Sequence, residues 1–370
     1  MKVGIITHYY KSLNYGGSLQ AYALCRVLRE MGVEAEQICY DMGVSSVPKG
    51  VLRRIKRTAK KVMSGAWGGW EIRKKRFFSF QESIPHSQTV CCKDHMTQVA
   101  EEYDLFITGS DQVWNTQWYH SAFFLDFVPK GKEKIAYAAC VGKKEISEED
   151  RRVFQKYLQD YRAISVREAD AVDMVTPCTP VPVVQTLDPT LLLSARQWDD
   201  LCAERMIDEK YIFCFLLGYG KQEREVVSRF AKEKGLRLVT LPHFPCDYRA
   251  SDAGFGNIRL YDVAPAEFIS LIKHAAYVFT DSFHAAVFSG IYQKDFFVLE
   301  RSGGETMRSR ILSLLALFGC GERFLDQPEK TTYEYMIHLP VIDYSRARSR
   351  MEAERSASIA FFKNNVVSEV

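Results

Sequence analysis

Residues 276–291 read AYVFTDSFHAAVFSGI, and this stretch decides how the chain is built. Tyr277–Thr280 form a short apolar run of β-forming residues, the length of a buried strand. Asp281 or Ser282 then supplies a side chain able to cap a helix. From Phe283 the sequence is an apolar helical run with His284 in its first turn.

The same alternation recurs in both directions. VGIIT precedes a helical pattern at Leu19–Met31, and AEQICY, DLFITG, KIAYAA, AISV (before Glu168–Val175) and VPVVQT follow. After a pause at LDPTLLL the pattern restarts with YIFCFLLGYG, LRLVTL, NIRLY, AYVFT and DFFVL. Strands alternating with helices predict parallel sheets covered on both faces, hence an α/β fold of two Rossmann-like, doubly wound domains facing a cleft. The pause, around residues 188–205, separates a first domain (1–190) from a second (191–343). The helical stretch 344–364 packs back on one of the halves.

Composition narrows the function classes. The 370 residues are 47% hydrophobic with a formal net charge of +3, which gives no reason to expect a nucleic-acid partner. The charge is unevenly placed: Lys49–Arg76 holds eleven Lys/Arg and one acid, Glu71. In VLRRIKRTAKKVM the apolar residues recur at helical spacing. The stretch therefore reads either as a helix packed by its apolar stripe or, with Trp67 and Trp70, as a peripheral contact with an anionic membrane through 51–76. Ten scattered cysteines show no metal-ligand spacing and read as free thiols in a reducing compartment. With no long apolar segment, a cytoplasmic protein is expected.

Ligands of open parallel sheets lie beyond the carboxyl ends of the strands, so the residues there carry the chemistry. After VGIIT come Asn14, Gly16 and Gly17, either a turn with its cap or a place where backbone N–H groups meet an anion. After DLFITG come Ser110, Asp111 and Gln112, with Asn115 nearby, a denser polar cluster than a single cap needs. After AISV comes Arg167, a cation at the positive end of a helix; it either awaits an anion or pairs with Glu168 or Asp170. His284 opens a helix whose field disfavours imidazolium, poised to exchange a proton near neutrality. After DFFVL come Arg301, Arg308 and Arg310, planar forks suited to phosphate and carboxylate, or cover for a helix surface.

In order, NYGGSLQAYAL, GSDQVWN, AISVRE, LDPTLLL, TDSFHAAVFS and SRILSLL resemble the polysaccharide pyruvyl transferase family, over about Thr7–Leu325. The resemblance implies a glycosyltransferase-B-like fold. It also implies transfer of pyruvate from phosphoenolpyruvate, with no further cofactor, to hydroxyls of a sugar or lipid-linked glycan precursor as a ketal. His284 is then the general acid, Arg167 an anion clamp and Asp111 a base toward the acceptor. Some members carry arginine two residues before the histidine; Ser282 stands there in this chain, so the anion contact falls to Arg308 or Arg310. Ala285 replaces a glycine found in many relatives. Two other readings stay open: a nucleotide-sugar-dependent glycosyltransferase using Gly218 and Gly220, and a non-catalytic anion- or sugar-binding relative.

Overall fold

The computed structural model describes residues 1–43, 64–92, 96–244, 249–302 and 308–367. The amphipathic run 51–63 expected from the basic segment lies outside them. Two parallel sheets organise the described residues. The first has the order β3-β2-β1-β4-β5-β6-β7, with β1 at Lys2–Ile6, β2 at Glu34–Tyr40, β3 at His86–Cys91, β4 at Leu105–Thr108, β5 at Glu133–Ala139, β6 at Ala163–Val166 and β7 at Val183–Gln185. The second has the order β10-β9-β8-β11-β12-β13, with β8 at Tyr211–Phe215, β9 at Arg237–Thr240, β10 at Ile258–Arg259, β11 at Tyr277–Thr280, β12 at Asp295–Leu299 and β13 at Phe324–Leu325.

Each order reverses between its first strand and the one after the crossover, which is where doubly wound sheets open a crevice. In the first sheet β1 pairs in parallel with both β2 and β4, so the reversal lies between β1 and β4. In the second, β11 pairs with both β8 and β12, placing it between β8 and β11. Strands buried on both faces have no polar side to alternate with, and β4 (LFIT) and β8 (YIFCF) are buried throughout.

The helix Tyr15–Glu30 joins the halves. Nearly all its first fourteen residues are buried, from Tyr15 to Leu28, because it is covered by its own sheet on one side and by the second domain on the other. Tyr15 stacks on Phe268 at 4.4 Å and donates to the Val263 carbonyl at 2.9 Å. Arg26 of the same helix donates to the Gln197 carbonyl at 3.0 Å and pairs with Asp200 at 2.9 Å.

The helix Ser64–Ser83 carries the described part of the basic segment, and its two arginines reach across to other elements. Arg73 lies over the Tyr15 ring at 5.0 Å, while Arg76 pairs with Asp262 at 3.5 Å and Glu267 at 3.2 Å. Trp67 meets Phe244 edge-on at 5.1 Å. This part of the segment therefore helps join the domains. Among the described residues no helix is long and apolar enough to cross a membrane.

The last helix, Tyr344–Asn365, returns to the first sheet. Phe362 is fully buried against Tyr137, with ring centroids 4.2 Å apart, and Ser358 accepts the Leu187 N–H at 3.0 Å. Arg355 donates to the Leu191 carbonyl. Truncating a large buried aromatic loses transfer free energy and leaves a cavity, so Phe362→Ala is expected to lower unfolding free energy by about 3–5 kcal/mol in urea titration. Exposed Glu352→Ala should change it by less than about 0.5 kcal/mol.

Candidate active site

Loops leaving β4, β6, β7 and β11 converge at the crevice, and a carboxylate absent from the expected site stands at their centre. Asp188 ends the loop after β7 and caps the short helix Pro189–Leu192, accepting the Thr190 N–H at 3.0 Å and its hydroxyl at 2.6 Å. Its other oxygen accepts from Arg167 Nη1 at 2.8 Å and lies 3.3 Å from Ser110 Oγ and 3.5 Å from His284 Nε2. Burial opposes charge on Asp188, but His284, Arg167 and Thr190 outweigh it and hold the carboxyl well below the usual range. The LDPTLLL stretch read as a pause between domains thus supplies the anion that orders the site. The signal was available: an acid at the third residue beyond a strand, the position Asp111 occupies after β4.

Arg167 is held on three sides. Besides Asp188 it donates to Glu168 at 3.2 Å and stands 3.7 Å from Asp111, while its guanidinium lies over the Phe283 ring at 4.5 Å. Burial disfavours the cation, yet the surrounding acids and Cys140 keep it firmly protonated. One nitrogen, Nη2, is buried without a hydrogen-bond partner. The pairing with Glu168 is therefore present, none with Asp170 is found among the described residues, and the Nη2 amino group is left over.

Arg310 is the less expected member. Two residues apart on the helix Arg308–Phe318, Arg308 and Arg310 point to different sides. Arg308 turns outward to Glu300 at 3.0 Å and Asp326 at 3.3 Å and does not reach the site. Arg310 is 7% exposed and lies 5.7 Å from the Phe283 ring centroid. Its Nε lacks a partner, and among the described residues no ion pair to it is found. Burial, and then the neighbouring Arg167, push its guanidinium below the ordinary value, and Cys140, Asp111 and Glu168 pull the other way without outweighing them.

His284 meets the first domain directly. A Cβ at Gly16 would overlap its imidazole, and one at Gly17 would overlap the His8 carbonyl, so both glycines serve close approach. Gly17 also donates its N–H to Asn14, the helix cap, at 3.2 Å. His284 Nε2 is buried, and the polar group that faces it is the Asp188 carboxylate 3.5 Å away, beyond a good hydrogen bond. Across from it, Asp111 has φ 62°, a left-handed conformation that aspartate tolerates better than most residues. Burial raises the affinity of Asp111 for a proton, but Arg167, His284, Arg310 and His8 together depress it below the usual carboxylate value.

The remaining expected residues have other occupations. Ser110 Oγ lies 2.9 Å from the Ala138 carbonyl as well as near Asp188, so it belongs to the scaffold of the cluster. The Gln112 side chain accepts from Asn115 at 2.7 Å. Neither Asp281 nor Ser282 caps its helix with a side chain. Asp281 accepts the N–H groups of Leu217 and Gly218, each at 2.6 Å, and Arg301 stands 3.5 Å away. At Gly220 a Cβ would overlap the Glu223 carboxylate. Gly218 and Gly220, considered as a diphosphate cradle, thus already face two carboxylates of the chain.

A cavity of about 420 Å³ opens beside the cluster. Arg167, Asp188, Phe283 and Arg310 form its inner wall, and Leu314 and Arg350 stand on the side of the helices 308–318 and 344–365. His284 and Asp111 do not line it; they adjoin it through Phe283 and Arg167.

The polysaccharide pyruvyl transferase family model matches residues 14–303, and the chain belongs to that family. It is a transferase of glycosyltransferase-B-like architecture. UDP-GlcNAc 2-epimerase from Methanocaldococcus jannaschii is similar in structure, with a TM-score of 0.53 at 12% identity, covering 97% of this chain and 100% of that one. A UDP co-structure of S. aureus MnaA aligns with a TM-score of 0.53 at 14% identity over 95% of this chain and 90% of that one. The Neisseria meningitidis epimerase bound to UDP-GlcNAc gives 0.51 at 11% identity over 95% and 99%. These likenesses establish the fold alone. No curated protein matches the chain.

Two outcomes follow from the packing. Gly16→Ala should displace His284 and cut turnover by at least about tenfold, the scale of ångström misplacement in an active site, while circular dichroism keeps the wild-type spectrum. Because Asp111 and Asp188 are depressed in the folded state, their contribution to stability is complete above the unfolded value of about 3.9 and is lost as pH falls through their lower folded values. Asp111→Asn should accordingly flatten the acid limb of the stability–pH curve measured by thermal melting.

Proposed function

We propose that the chain transfers pyruvyl from phosphoenolpyruvate to two hydroxyls of one sugar in a polysaccharide or lipid-linked precursor, forming a ketal. The observation that carries this reading is the pair of buried arginine donors without partners, Arg167 Nη2 and Arg310 Nε, on the wall of one cavity. A buried donor left unpaired costs about 1–3 kcal/mol, more when charged, unless a ligand completes it. A small molecule with a phosphate and a carboxylate supplies complementary acceptors. Arg167 is largely neutralised by Asp188 and Glu168, so Arg310 provides most of the free positive charge.

The chemistry divides among the residues by position. His284, held at Gly16, delivers a proton to the methylene carbon of phosphoenolpyruvate, which makes the adjacent carbon electrophilic. Asp111 receives the proton of the first attacking hydroxyl. The C–O bond to phosphate breaks, and the second hydroxyl closes the ketal. Of the two hydroxyl protons, one restores that given by His284 and the other leaves on phosphate, so atoms and charge balance without an added cofactor. Contact with an anionic membrane through 51–76 would present a lipid-linked acceptor; pelleting with anionic vesicles that fades with salt tests it, and pelleting that ignores salt and lipid charge would refute it.

Calorimetric titration with phosphoenolpyruvate tests the donor. Binding is expected in the wild type, weaker by about 10- to 100-fold in Arg310→Met, since a charge-assisted hydrogen bond is worth about 1.5–3 kcal/mol. The same substitution removes an incompletely compensated buried cation and should raise the thermal midpoint by about 2–4 °C. His284→Ala should spare binding and lose turnover. Absence of binding in the wild type would refute the reading.

A further inference from the structure

The reaction as read above must take protons from two hydroxyls, and Asp111 serves one. Once protonated it has no further capacity until its proton passes on to restore His284, so a second base beside it would take the proton of the closing hydroxyl and hand it to the departing phosphate. We propose that His8 is that group, a second proton-transfer residue beside Asp111; this rests on the pyruvyl-transfer reading.

Hydrogen bonds fix its place. Thr7 Oγ1 donates to the Ser110 carbonyl at 2.8 Å and His8 Nε2 lies 3.2 Å from the Gln112 carbonyl, so consecutive residues after β1 grip the backbone on both sides of Asp111. A carbonyl only accepts, so Nε2 carries the hydrogen and Nδ1 keeps its lone pair. No hydrogen bond to Nδ1 is found among the described residues. The ring is held against Phe123 at 4.1 Å between centroids, and its backbone carbonyl abuts Gly17. His8 is thus fixed in the tautomer able to accept a proton, on the first-domain side of the carboxylate that His284 approaches from the second.

The electrostatic setting agrees with that role. Burial lowers the proton affinity of His8, and the nearby His120 adds to this, while Asp111 and the bond to Gln112 oppose it. These are the titratable neighbours that act on it. A neutral imidazole at working pH accepts a proton, and one beside a carboxylate shares the charge it gains.

The test compares His8→Gln with the wild type in four readouts. They are phosphoenolpyruvate affinity by calorimetry, the thermal midpoint, phosphate release with a methyl hexopyranoside bearing free 4- and 6-hydroxyls, and imidazole titration by NMR with and without Asp111→Asn. Expected are affinity within about twofold, an unchanged midpoint, turnover lower by about 10²- to 10⁴-fold, and loss of the acid limb of the pH–rate profile assigned to His8. Turnover equal to wild type, or a loss that tracks affinity, would overturn the role of His8 while leaving the donor reading intact. Failure of the wild type to bind phosphoenolpyruvate would instead overturn the donor reading. The NMR arm needs no acceptor: the His8 midpoint should fall when Asp111→Asn removes the carboxylate, and an unmoved midpoint would overturn the proposal by itself.

Discussion

The bond between Asp188 and Arg167 is the constraint on which the site depends. It is almost entirely buried, and a buried carboxylate and guanidinium are tolerated only when each is satisfied by good geometry. Asp188 meets that condition by capping a helix at the same time. The cap ties the end of β7 to the helix Pro189–Leu192, and the ion pair ties that junction to the end of β6. His284 of the second domain then lies 3.5 Å from the same carboxylate. One acid therefore fixes the relative positions of three chain segments, and the residues left unpaired around it are unpaired by construction.

That construction separates two kinds of arginine. Arg167 is a structural cation with one donor to spare, whereas Arg310 is a buried charge with little to balance it. The distinction matters for binding, because an arginine already shared between two carboxylates offers little additional field to an incoming anion. Phe283 lies against both guanidinium groups, an apolar face beside which an ionic contact is less screened than in open water.

Much of the architecture was legible from the chain, for identifiable reasons. Parallel strands buried on both faces leave short unbroken apolar runs, and β1, β4, β5, β6, β8, β11 and β12 all announce themselves so. The edge strand β3 did not, because HSQTVC exposes three of its six residues and has no continuous apolar character. Residues beyond strand ends were also legible, since a polar residue soon after an apolar run has few other reasons to be there; Asp111, Arg167 and His284 stand in such places, and the fold brings them together. Asp188 was missed because LDPTLLL is short and irregular, and its proline and leucines suggest a break more readily than a cap. His8 was hidden among aromatic neighbours in THYY. The division of labour between Arg308 and Arg310 is a matter of helix phase and required the helix to be placed. Gly16 and Gly17 were noticed, but what they accommodate, a histidine from the other domain and a backbone carbonyl, lies far away in sequence.

The central claim is that the buried cations around Asp188 form an anion site for phosphoenolpyruvate. The phosphorus NMR resonance of that molecule, followed while protein is added, examines it most directly. A shift or broadening of the resonance that saturates with protein, and that is lost with Arg310→Met though the protein remains folded, is the expected result. A resonance that stays sharp and unmoved at equimolar wild-type protein, or one that responds equally to the Arg310→Met variant, would contradict it.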